Sequence, residues 1–129
     1  MKKYTLELSE EQLILVSKCL EDISRFASGQ CKLNYTLQEM ERNLPHDEQI
    51  NRIHKAEDLL MEVKKILLPD LLENESLGYN STEFIGNVYQ IYRTILYTLN
   101  KDLENKNVYS SPALPSGNLG TVKIKVINN

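Results

Sequence analysis

Residues Tyr79 to Leu103, YNSTEFIGNVYQIYRTILYTLNKDL, decide how the chain is read. Apolar side chains recur at Phe84/Ile85, Val88, Ile91/Tyr92, Ile95/Leu96, Leu99 and Leu103, in steps of three and four. That is the period of one helix face, because residues three and four apart stack on the same side of a 3.6-residue turn. The start is also marked. Asn80 can cap the helix, Glu83 takes the third helical position, and Tyr79 and Phe84 can pack together across the cap.

A second face of this helix carries Gly86, Tyr89, Gln90, Arg93, Tyr97 and Asn100. Flat rings, an amide fork, a guanidinium and a glycine gap are the groups that hold a base, a ribose and a phosphate. The same face also fits ordinary packing or a subunit contact, with Arg93 as a cation–π or salt-bridge partner of the tyrosines.

Working outward, two further helices are expected. The first is capped by Ser9, with Gln12 completing a capping box and Leu8 packing on Leu13. Its apolar face is Leu13, Val16, Cys19/Leu20, Ile23 and Phe26/Ala27, and it should stop at Ser28-Gly29, where glycine can take the left-handed conformation. Ser24, Arg25, Ser28 and Gln30 cluster at that end. The other helix enters at Pro45-His46-Asp47, with Asp47 as its cap, and runs to about Leu68 before Pro69. It should bury Ile53, Ala56, Leu60, Val63 and Leu67, with Leu59 and Ile66 widening the stripe. Gln30 to Leu44 reads as a strand-like arm or short helical turns, and Asp70 to Tyr79 as a loop.

Both ends of the chain alternate. Tyr4, Leu6 and Leu8 face against Lys3, Thr5 and Glu7, and Val122, Ile124 and Val126 against Lys123 and Lys125, the period-two pattern of half-buried strands. The expected fold class is therefore α+β and mostly helical: three main helices with a short antiparallel ribbon formed by the N-terminal and C-terminal strands. The whole chain, 1–129, is expected to be a single domain. Residues 108–120, with Ser110-Ser111-Pro112 and Pro115-Ser116-Gly117, form a long loop before the last strand. It reads as a flexible lid that could reach back over a ligand held beside Arg93.

Composition narrows the function. The chain has 129 residues, enough for one core, and 41% hydrophobic and 26% charged content, ordinary for a globular protein. A formal charge of −3 argues against a nonspecific DNA or membrane-surface binder. No signal-peptide core or membrane span is visible, so cytoplasmic residence is the expectation. Cys19 and Cys31 form neither a disulfide framework nor a zinc signature, and Cys19 reads as a small buried hydrophobe.

No catalytic constellation is found. His54 and Glu57 share a helix turn, a spacing that suits a metal or an acid–base pair but more often marks solvated surface. There is no Gly-rich phosphate loop and no nucleophile elbow. The expectation is a non-catalytic binding protein with no cofactor and no metal, rather than a small nucleotide-processing enzyme.

Leu6-Glu7-Leu8-Ser9-Glu10-Glu11-Gln12, Ser24-Arg25-Phe26-Ala27-Ser28-Gly29-Gln30 and Tyr89-Gln90-Ile91-Tyr92-Arg93 together resemble a group of small phage and prophage proteins that includes the anti-Thoeris nucleotide sponges. The resemblance covers the first and last helices; the C-terminal alternating segment departs from it, where a polar tail would be expected. It implies a protein that sequesters cyclic ADP-ribose isomers, such as glycocyclic ADP-ribose made by TIR enzymes, and so blocks anti-phage defence. It also implies homodimers that can build hexamers, residence in the cytoplasm of the infected or lysogenic bacterial host, and no DNA or membrane partner. The candidate ligand-binding residues are Arg25, Ser28, Gly29, Gln30, Phe84, Gly86, Asn87, Tyr89, Gln90, Arg93, Tyr97 and Tyr109. The alternative is a phage-encoded interaction protein that inhibits a host protein through its helical face.

Overall fold

The computed structural model describes residues 2–102 and 111–128. Four helices follow one another: α1 (Glu10–Ala27), α2 (Asn34–Met40), α3 (His46–Leu67) and α4 (Glu83–Asp102). Among the described residues there is no strand. The expected α+β class with its antiparallel ribbon is therefore wrong, and the fold is all helical. Both alternating ends are extended, but no backbone hydrogen bond pairs them, and alternation makes a sheet only when a neighbouring backbone closes the ladder.

α1 begins as its sequence dictates. The Ser9 N–H donates to Gln12 Oε1 at 2.9 Å and the Gln12 N–H to Ser9 Oγ at 3.1 Å, a reciprocal capping box. It ends with Gly29 at φ 93°, while the Gly29 N–H reaches Phe26 O and the Gln30 N–H reaches Arg25 O. This Schellman closure satisfies carbonyls that the helix end would otherwise leave open. A Cβ on Gly29 would also crowd Leu68 at 3.2 Å and Lys64 at 3.3 Å, so the turn is where α1 meets the end of α3.

α1 and α4 form the main packed pair, and α2 bridges α1 to α3. α4 buries Ile85, Val88, Tyr92, Ile95 and Leu99, a strict three–four seam. Phe84, expected on this face, is exposed. The buried residues of α1 are Ser17, Asp22 and Ser24, with Ser28 at the cap, rather than the expected apolar row. Ile23 and Cys19 are exposed. Serines can be buried here because their hydroxyls turn back to their own helix: Ser17 Oγ donates to Ile14 O at 2.7 Å and Ser28 Oγ to Arg25 O at 2.8 Å. Their small side chains leave room for the large residues of α4.

Buried polar groups hold the remaining elements. The Asp22 carboxylate accepts from the Tyr35 N–H at 3.3 Å, the Thr36 N–H at 2.7 Å and Thr36 Oγ1 at 2.8 Å, so a side chain of α1 caps α2. That explains a helix in a segment whose own sequence carries no cap. Lys64, 4% exposed, donates from Nζ to Leu72 O, Glu73 O and Glu75 O and so fixes the turn after α3. α3 starts after Pro45 with no side-chain cap, and Asp47 lies in its first turn instead. Its stripe is largely uncovered: Leu59, Val63, Ile66 and Leu67 are exposed. No helix among the described residues is long and apolar enough to cross a membrane.

Candidate functional site

The cap of α1 and the first turns of α4 border a half-open cavity of about 340 Å³. Ser24, Arg25, Ser28 and Gln30 line it from α1 and its closing turn, and Ile85, Tyr89 and Tyr92 from α4. Leu77 and Tyr79 close a third side, held there because the Leu77 N–H donates to Ser28 O at 2.7 Å.

The aromatic wall is layered. Tyr79 and Tyr89 pack with ring centroids 4.7 Å apart at 44°, and Tyr89 meets Tyr92 edge-on at 5.7 Å and 79°. Arg93 stands over the Tyr89 ring, its guanidinium 5.9 Å from the centroid. Such contacts fix ring orientation at small cost, because each ring edge or cation meets a negative π face. Arg25 supplies a cation at the rim, 3.7 Å from Glu21 in a half-exposed i,i+4 pair. A pair that open to solvent contributes little stability and leaves the guanidinium able to exchange partners.

The structure divides the expected site. Arg25, Ser28, Gln30 and Tyr89 come together around the cavity. Gly29 turns the other way, toward Lys64, Leu68 and Leu71. Phe84 is exposed and Tyr97 half-buried, and neither lines the cavity. Tyr109 lies outside the described residues, as does Leu103.

Gly86, Asn87, Gln90 and Arg93 instead meet the segment that follows α4. That segment does reach back along the helix. The Gly117 N–H donates to Asn80 Oδ1 at 2.8 Å, and the Asn118 and Leu119 N–H groups to Asn87 Oδ1 at 2.9 and 3.1 Å. Asn87 Nδ2 returns a bond to Asn118 Oδ1 at 2.8 Å. Ser116 Oγ donates to Gly86 O at 3.0 Å and sits 3.3 Å from Gln90 Oε1, and Arg93 Nη2 reaches Ser111 O at 3.5 Å. The described part of the loop is thus fastened to α4, on the face adjoining the cavity. This also moves the helix cap. Asn80 is occupied by Gly117, and Thr82 Oγ1 accepts from the Ile85 N–H at 3.1 Å in its place. Tyr79 stacks on Tyr89 rather than on Phe84.

Sequence reasoning missed Ser24, Leu77, Tyr79, Ile85 and Tyr92 as lining residues. Tyr92 was assigned to the core, where most of it is. The signal for Tyr79 was its place one residue before the expected cap, which brings it beside the first turns of α4. Two other features are structural. Cys31 is buried at φ 53°, its Sγ 3.6 Å from Leu60 O, and burial pushes its thiol above the ordinary range against the pull of the Lys64 ammonium. Among the described residues no group of histidine, cysteine, aspartate and glutamate has the arrangement of a metal site. No protein-family model, curated protein or solved structure matches the chain.

Proposed function

We propose that the chain is a non-catalytic binding protein that sequesters a small cyclic nucleotide signal of the cyclic ADP-ribose isomer class, blocking anti-phage defence in the cytoplasm of its bacterial host. The observation that carries this reading is the cavity itself. One arginine at the rim, stacked tyrosines on one wall, and serine hydroxyls with a glutamine amide on the other are the groups needed for a pyrophosphate, a base and ribose hydroxyls. In this reading Tyr79 and Tyr89 hold the base and Arg25 the phosphate, and the protein acts as a symmetric homo-oligomer. A tightly held signal never reaches its effector, so no chemistry is required.

The test is incubation of the purified protein with cyclic ADP-ribose isomers, followed by mass spectrometry of what heating releases. Intact nucleotide is expected, with a rise in melting temperature from mass action. Arg25→Ala should weaken binding about ten- to a hundredfold, the loss of a charge-assisted hydrogen-bonded contact, without loss of helix content. A chemically altered product would mean an enzyme instead, and no bound nucleotide would remove the proposal.

A second reading rests on the exposed stripe Leu59, Val63, Ile66 and Leu67 of α3. Such a stripe suits an inhibitor that covers a host protein with its helical face. That reading expects no thermal stabilisation by any cyclic nucleotide.

A further inference from the structure

Tyr79 has no helix to hold it. It sits in the turn before α4 and is 43% exposed, yet its ring is stacked on Tyr89. Its two flanks are fixed from different directions. On one side the Leu77 N–H donates to Ser28 O, at the closing turn of α1. On the other, Asn80 Oδ1 accepts from the Gly117 N–H at 2.8 Å. The facing ring is tied to the same late segment, because Arg93 stands over Tyr89 and its Nη2 reaches Ser111 O at 3.5 Å. Residues 111–119 thus hold neighbours of both rings, although none of them lines the cavity.

Asn87 is the main anchor of that segment. Its Oδ1 accepts from two successive backbone N–H groups, those of Asn118 and Leu119, and its Nδ2 donates to Asn118 Oδ1. Such a contact fixes register, since a one-residue slip leaves a donor unmatched. Ser116 Oγ adds a bond to Gly86 O one residue before Asn87. Glycine at 86 is what lets the chain pass so close, because a Cβ there would lie 2.6 Å from the Gly117 nitrogen. Gly117 itself takes φ 69°, so the segment turns at its point of nearest approach.

We propose that residues 111–119 are a positioning strap for the tyrosine wall, and that Asn80 and Asn87 are positioning residues for binding rather than ligand contacts. The strap holds the Asn80 end of the turn, and through it the Tyr79 ring against Tyr89, where a flat base would meet them. A wall assembled before the ligand arrives spares the ligand the cost of ordering it. Strap docking and ligand affinity are therefore coupled, and the coupling is reciprocal: a bound ligand holds the strap down by the same factor. This deepens the nucleotide-binding proposal and rests on it only for the identity of the ligand.

Two variants of the full-length chain detach the strap from opposite sides. Asn87→Leu removes its acceptor and donor at similar volume. Gly117→Val places a β-branched residue at φ 69° with its Cβ 2.7 Å from the Asn87 nitrogen, and it lies outside every helix, so it tests the strap even if Asn87→Leu fails to fold. Hydrogen exchange at 117–119 reads detachment, and the far-ultraviolet signal reads the helices. The chain has seven tyrosines and no tryptophan, so near-ultraviolet circular dichroism reads tyrosine packing. Both variants should lose ellipticity there, and should lose none further when Tyr79 is already leucine. A strap that merely stabilised the fold would lower Tm without this signature. Asn87→Asp keeps the two acceptor bonds and should restore most of the signal. Titration with cyclic ADP-ribose should show binding about tenfold weaker in the two detached variants, and saturating nucleotide should slow wild-type exchange at 117–119 by a similar factor. A detached strap with unchanged ellipticity or unchanged affinity would overturn the proposal, as would amides at 117–119 that stay protected in both variants. A wild-type chain that binds no cyclic ADP-ribose isomer would remove the nucleotide reading instead, and the ellipticity alone would then decide the strap.

Discussion

Replacing Gly86 with alanine sets two effects of opposite sign against each other. In an open helix, Gly→Ala gains about 1 kcal/mol, because alanine loses less backbone freedom on folding. Here a Cβ would fall against Asn80 Oδ1 and 2.6 Å from the Gly117 backbone nitrogen. The obstacle is backbone, so the cheap relief of swinging a flexible side chain is unavailable, and the segment 116–119 must lift. Lifting it breaks the bonds from Gly117 N–H to Asn80, from Asn118 and Leu119 N–H to Asn87, from Asn87 to Asn118, and from Ser116 to Gly86 O. Most of these groups are solvent-exposed and can be rehydrated, so each counts for about 0.5–1 kcal/mol and the set for about 3 kcal/mol. Subtracting the helix gain leaves a net loss of about 2 kcal/mol, a fall in Tm of about 8 °C for a chain of this size. Thermal unfolding followed by circular dichroism measures the first quantity. Hydrogen exchange at 117–119 measures whether the segment has detached. An unchanged or raised Tm with protection retained at 117–119 would show that α4 and this segment do not approach as closely as described, and the reasoning would fail.

Three further outcomes follow from buried polar groups. Lys64→Met removes the donor to Leu72, Glu73 and Glu75 carbonyls, and because those carbonyls sit on an exposed turn the expected cost is about 2–3 kcal/mol; chemical denaturation measures it, and loss of protection at the Leu77 amide would trace the damage to the cavity wall. Asp22→Ala should cost about 1–2 kcal/mol and expose the α2 amides to rapid exchange while those of α4 stay protected; an α2 that remains equally protected would mean the cap is dispensable. Thiol titration of the native protein should find Cys19 fast and Cys31 slow, because Cys31 is buried and its raised pKa keeps it protonated at pH values where an ordinary cysteine already ionises; equal rates at neutral pH would contradict that burial.

Local chemistry decided the parts of this molecule that are local. Ser9 and Gln12 lie three residues apart, so their capping box forms within one turn whatever surrounds it, and Gly29 closes α1 because only a residue tolerant of positive φ ends a helix that way without strain. The seam Ile85, Val88, Tyr92, Ile95 and Leu99 was legible for the same reason: periodicity is a property of one segment. Tertiary structure decided what depends on distant partners. A serine row rather than the apolar row of α1 is buried because large side chains of α4 fill that space. The cap of α4 is Thr82 rather than Asn80 because Gly117, 37 positions later, takes the Asn80 oxygen. α2 is a helix because Asp22, on another element, caps it. Arg25, Ser28, Gln30 and Tyr89 could be suspected one by one, but only the packing of α1 on α4 places them around one cavity while Gly86, Asn87 and Gln90 are turned to the docked segment. The alternating ends carried the right residues for strands, yet a strand is defined by the backbone beside it, and within one copy of this chain that neighbour is absent among the described residues.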